Sequence, residues 1–159
     1  MTDRAEAQPN GIQGLVTARA LWAVRVSAAQ QAIDAATLAL TEGVDSDPLR
    51  ELAGAHQDIN VFELGALIDT ALSSAGVDVD DMTEDDALQI SARHYVKCVI
   101  EGQMPVREFT AWAHSRLGHE GPAWAQELVE LDDEFDALDG GWGREPNWEQ
   151  ILERFLVSR

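Results

Sequence analysis

The chain has little cysteine, little lysine and no long apolar run, and each shortage removes a class of function. Cys98 is the only cysteine, which excludes an internal disulfide framework and a cysteine-based zinc site. Lys97 is the only lysine, and 11 basic residues face 29 acidic ones for a formal net charge of -18. Binding a phosphate backbone requires Lys and Arg to displace counterions. Direct contact with nucleic acid, or with an anionic membrane, is therefore not expected. No stretch approaches the roughly 18 consecutive apolar residues of a membrane span, and Met1–Gly11 lacks the apolar core of a signal peptide. The expectation is a cytoplasmic protein. Phosphate-binding loops, dinucleotide fingerprints and the His-Glu-x-x-His zinc motif are also missing, so neither a cofactor nor a catalytic metal is expected.

What is present is the periodicity of helices. The chain has 159 residues, 45% of them hydrophobic, enough for one domain with a substantial core. Residues 1–13 are polar, carry Pro9 and Gly11, and read as a flexible arm before a single helical domain over 14–159. From Gly14 to Glu42, Leu15, Ala18, Trp22, Val26, Ala29, Ile33, Ala36 and Leu40 recur at steps of three and four, which predicts one long helix. Gly43 stands where a left-handed C-cap belongs. Asp47-Pro48 opens a short helix. Asn60 and Glu63 have capping-box spacing before a helix that turns Phe62, Leu67, Ile68, Ala71 and Leu72 inward. Thr83 caps the next, which starts on Glu84, Asp85 and Asp86 and buries Leu88, Ala92, Tyr95, Val99 and Ile100. Further helices begin near Pro105, after Gly121-Pro122 and near Asn147. No segment alternates like a strand. The prediction is an all-α bundle of six to seven helices with a long N-terminal one.

Charge is distributed unevenly. No base lies between Arg50 and Arg93, where ten acids fall, and none between Arg116 and Arg144, where eight fall. Dense like charge is self-repulsive and favours solubility or encounter with a cationic partner. If Leu128, Leu131, Phe135 and Leu138 point inward, Glu130, Asp133, Glu134 and Asp136 lie on the flanks or outside. That helix runs into Gly140-Gly141-Trp142-Gly143, where Trp142 either closes over a core edge or stands out as a binding anchor.

Other constellations are weaker. Counted from Asp78, Met82 and Thr83 occupy positions where an EF-hand loop needs an oxygen ligand and a glycine. No Glu precedes a His by three residues, as a di-iron bundle requires. His114 and His119 lie near a helix end, where the dipole favours a cation; a metal or acid–base role is the alternative. Cys98 reads as a buried, inert thiol.

The run Val99-Ile100-Glu101-Gly102-Gln103-Met104-Pro105-Val106-Arg107-Glu108-Phe109 resembles the helix–turn–helix opening of small acidic bacterial immunity proteins of the colicin D type. The acidic helix Glu127–Leu138 and the terminal Ile151–Leu156 segment extend the likeness, which covers residues 95–156. It implies a helical bundle that occupies the basic active site of a tRNA-cleaving toxin, with Glu130, Asp132, Asp133, Glu134 and Asp136 facing the toxin. The N-terminal half is an addition to that pattern.

Three functions follow. The first is a non-catalytic acidic binding protein, of immunity or antitoxin kind, that blocks a basic protein through those acids and Trp142. The second is an oligomerisation module, with homodimerisation through the Ala-rich long helix and Trp22. The third is an enzyme whose acids converge with His114 or His119.

Overall fold

A computed structural model describes residues 8–158. Among them are eight α-helices, one 3-10 turn and no strand, so the fold is all-α. In chain order these are α1 (Asn10–Ala23), α2 (Ala29–Thr41), α3 (Asp47–Ala53), α4 (Val61–Ser74) and α5 (Glu84–Ile100). They continue with α6 (Val106–Leu117), a 3-10 turn (Ala123–Ala125), α7 (Gln126–Asp139) and α8 (Trp148–Val157). Two compact units divide between Ser91 and Ala92, within α5. No helix among the described residues is long and apolar enough to cross a membrane.

The expected single helix over 14–42 is two helices. α1 ends in a left-handed reversal in which Arg25 takes φ +65°. The Val26 amide donates to the Leu21 carbonyl (2.9 Å) and the Arg25 amide to that of Trp22 (3.1 Å), the pair of bonds that defines a Schellman C-cap. Glycine normally occupies the left-handed position because a Cβ is penalised there. Arg25→Gly should therefore raise the urea midpoint, by about 0.5–1 kcal/mol of stability. A lowered midpoint would show that the arginine side chain outweighs its backbone cost.

The expected arm does not extend over residues 10–13. Residues 1–7 lie outside the described residues, while 10–13 form the first turn of α1, with Gly11 and Ile12 buried. Two open amides of that turn are satisfied from elsewhere in the chain. The Glu42 carboxylate accepts from Asn10 N–H (3.0 Å) and Gly11 N–H (2.6 Å), and a negative group suits a helix N-terminus.

In the first unit, α1 packs on α2 and α4, α2 on α3, and α3 on α4. Their buried faces are rich in alanine: Ala18 on α1, and Ala32, Ala35, Ala36 and Ala39 on α2. Leu15, Leu49, Leu52, Ile68 and Leu72 fill the space between. Gly43 is the left-handed cap of α2, φ +94°. Ser46 caps α3, with Pro48 in its first turn. Asn60 caps α4 by accepting from Phe62 N–H (2.8 Å). Phe62 itself, expected inward, is 78% exposed. Trp22 reaches across to α4, where its indole N–H donates to the Val61 carbonyl (2.7 Å). Arg19 lies 4.7 Å from the indole centroid and pairs with Asp69 (2.6 Å).

Thr83 and Asp86 cap α5 reciprocally, each side chain accepting from the other's amide at 3.0 Å. In the second unit α6 packs on α7, and Val96, Phe109, Ala113, Leu117, Leu128, Leu131, Phe135 and Leu152 are buried. Ile100, expected inward at the end of α5, is exposed. Phe109 centres an aromatic group with Tyr95 (centroids 6.4 Å) and Trp112 (6.2 Å, near-parallel). Trp124 against Phe155 (6.2 Å) and an Arg154–Glu127 ion pair place α8.

Candidate functional site

α6 carries Thr110 and His114 four residues apart, on one face, and α7 carries Asp132 and Asp133. Thr110 is fully buried. Its hydroxyl lies 3.0 Å from Asp132 Oδ1 and 3.2 Å from the Arg107 carbonyl. A hydroxyl has one proton, and the shorter, charge-assisted bond to the carboxylate takes it. Asp132 Oδ2 holds His114 Nδ1 at 2.8 Å, and the Asp132 side chain is only 13% exposed. Its two oxygens are thus engaged inside the protein.

Asp133, beside it, bridges two histidines. Its Oδ2 is 3.0 Å from His119 Nε2 and its Oδ1 3.7 Å from His114 Nδ1. The two imidazoles meet edge to face, centroids 5.0 Å apart. The hydrogen bond to Asp132 raises the His114 pKa above its ordinary value, burial opposes this, and the charges of Asp133, Asp132 and Asp136 add to the rise. His114 also lies in the last turn of α6, where the helix dipole favours a cation.

His119 is carried into place by a tight turn after α6. Gly118 adopts φ +67°, and a Cβ on Gly121 would lie 2.0 Å from the Leu117 carbonyl oxygen, so the chain there passes too close for any side chain. The Gln126 amide group straps the turn to the start of α7, lying 3.0–3.2 Å from the carbonyls of Gly118, Gly121 and Pro122.

The remaining acids singled out from sequence separate by environment. Glu130, Glu134 and Asp136 are exposed on α7. Asp136 is 3.8 Å from Arg107, whose guanidinium pairs with Asp139 through both nitrogens. That pairing lowers the Asp139 pKa and raises that of Arg107. Trp142 is 76% exposed. Its amide closes the C-cap of α7 on the Ala137 carbonyl (2.8 Å), with Gly141 left-handed at φ +86°. The residue following such a cap often packs back on the helix; here the indole stays in solvent. Of the α7 acids singled out from sequence, Glu130, Glu134 and Asp136 thus form an outward set, and Asp132 and the half-exposed Asp133 an inward-turned pair bound to α6 and its following turn.

Cys98, expected to be buried, is half-buried, and its surroundings do not activate it. Burial raises its pKa and Glu101 adds to the rise, while burial and Lys97 lower that of His94, 3.7 Å from its sulfur. A nucleophilic thiol needs the opposite shift.

Sequence reasoning reached His114, His119, Asp132 and Asp133 individually but not as one cluster, and it missed Thr110 and Gln126. No protein family, curated protein or solved structure matches the chain.

Proposed function

We propose that the chain is a non-catalytic acidic helical binding protein, acting in the cytoplasm, that blocks a basic partner such as a toxin or nuclease, as an immunity protein or antitoxin does. The observation that carries this reading is the exposed face of α7, where Glu130, Glu134 and Asp136 stand in solvent and the helix ends at an exposed Trp142. Clustered negative charge accelerates encounter with a positive surface, and an exposed tryptophan is the side chain most enriched at binding hot spots. The resemblance of residues 95–156 to colicin D-type immunity proteins points the same way. Asp132 and Asp133 carry less of this reading, because their carboxylates are also held within the chain by Thr110, His114 and His119.

The oligomerisation reading rested on a long Ala-rich helix. That segment is two helices, and Ala18, Ala29, Ala32, Ala35, Ala36 and Ala39 are buried within the first unit.

The test is capture of a basic protein from host lysate on the immobilised chain at low salt, followed by association kinetics with that protein. Glu130→Lys/Glu134→Lys should slow association at least about tenfold, and raised salt should slow the parent chain similarly. Trp142→Ala should act on dissociation instead. Equal association rates for parent and double variant, or recovery of the chain's own copies alone, would overturn the proposal.

A further inference from the structure

The inward pair of α7 and the two histidines have a chemistry that the acidic binding face does not use. One nitrogen of His114, one of His119 and one carboxylate oxygen of Asp133 lie within 4.8 Å of one another. From this geometry we infer that His114, His119 and Asp133 form a divalent transition-metal site, with Zn2+ as its ligand.

Four observations carry the inference. Two imidazoles with one carboxylate are a donor set suited to zinc rather than to magnesium or calcium, which take oxygen. Bond lengths of about 2.0–2.2 Å in a tetrahedral site put neighbouring donors roughly 3.4 Å apart. The 3.0 Å between His119 Nε2 and Asp133 Oδ2 is a few tenths of an ångström short of that spacing, a gap that rotation of the exposed His119 side chain can open. The ring of the third donor is restrained. Asp132 holds His114 through Nδ1 at 2.8 Å, and a carboxylate hydrogen-bonded to a ligating histidine both limits the ring's rotation and increases its basicity. Finally, Asp132 is itself fixed by the buried Thr110 hydroxyl, and the turn bearing His119 is strapped by Gln126. This supporting shell distinguishes the cluster from the other acidic stretches of the chain. Three protein donors leave one tetrahedral position for water or a partner's side chain. A bound ion would pin the turn after α6 to the middle of α7.

The site is independent of the acidic-face proposal, and its test needs no partner. Metal-free full-length chain is titrated calorimetrically with Zn2+ in about 10 mM Mg2+, which saturates non-specific acidic sites. The expected result is one zinc per chain. His119→Ala and Asp133→Asn, both at partly or fully exposed positions, should each weaken binding about tenfold or more, and Asp132→Asn about 10–100-fold. Substituted Co2+ should give the visible absorption of a low-coordinate nitrogen–oxygen site in the parent chain and lose it in His119→Ala. Zinc affinity unchanged in both His119→Ala and Asp133→Asn would overturn the assignment. So would several weak zinc sites that magnesium displaces.

Discussion

Gly11→Ala should destabilise the first unit by about 2–3 kcal/mol, lowering its thermal midpoint by roughly 10 °C. An added Cβ would lie 2.2 Å from the Ala39 nitrogen, 2.5 Å from its Cα and 2.7 Å from the Ala35 carbonyl oxygen. All three are backbone atoms of α2, so no side-chain rotation can relieve the overlap. The helices would have to separate. That would open the alanine interface along Ala18, Ala32, Ala36 and Ala39 and pull the α1 amides off the Glu42 carboxylate. Against this stands a helix-propensity gain of at most about 1 kcal/mol, smaller than the steric cost. Gly14→Ala is the control. Its Cβ would meet one methyl, that of Ala35, at 3.0 Å, which a shift of a few tenths of an ångström relieves. Steric and propensity effects should then cancel to within about 0.5 kcal/mol. Equal effects of the two substitutions, read by thermal and urea denaturation, would mean that α1 and α2 do not meet at Gly11.

The same interface shows where sequence reading stops. Gly43, Thr83 and Pro48 mark helix ends by local chemistry, and the structure has them in those roles. The break at residues 24–28 has no such mark. Val24-Arg25-Val26-Ser27 contains neither glycine nor proline, and the apolar period of three and four continues across it. The reversal is stabilised by burying Val24 and Ala28 and by laying α1 along α2, both tertiary gains. The start of α1 was hidden for a related reason. Pro9 and Gly11 read locally as breakers, yet the amides they leave open are satisfied by Glu42, 31 and 32 residues away. Phe62 errs in the opposite direction: spacing gave it an inward place, but its position in the first turn of α4 leaves it in solvent.

The candidate site divides along the same line. Its acids were legible as a charge run, and α7 periodicity placed Glu130, Asp133, Glu134 and Asp136 on the flanks or outside. Periodicity could not separate Asp132 and Asp133 from that set, because both lie on the flank, where a neighbouring helix decides whether an acid faces water or a histidine. The contacts that decide it join Asp132 to Thr110 and His114 across 22 and 18 residues. Thr110 carried no signal of its own. A lone threonine in an amphipathic helix reads as a polar residue, and only its complete burial beside a carboxylate gives it a role.

Phe109→Ala should be the most damaging single truncation in the second unit, costing about 3–5 kcal/mol. The ring is fully buried between Tyr95 of α5 and Trp112, one turn on in α6. Each aromatic pair contributes about 0.5–1.5 kcal/mol beyond the area it buries, and Tyr95 also meets Trp112 edge to face at 4.9 Å. Removing the ring takes away the aromatic neighbour shared by the partly exposed Tyr95 and Trp112, so both can relax outward and lose their fixed orientation. Near-UV circular dichroism should fall sharply while far-UV helicity persists. Phe109→Leu, which keeps most of the volume, should cost only about 1–2 kcal/mol. The consequence for the site follows from position along α6. Phe109 precedes Thr110 and lies five residues before His114, so it seats the helix that aims both at α7. A helix free to roll cannot keep a 2.8 Å contact to Asp132 and a 3.7 Å approach to Asp133 together. Phe109→Ala should therefore loosen the histidine–carboxylate cluster without altering any of its members, whereas Trp142→Ala, at an exposed position, should leave both stability and cluster intact. A loss below about 1 kcal/mol in Phe109→Ala would show that the second unit is held by the aliphatic contacts of α7 and α8 rather than by its aromatic centre.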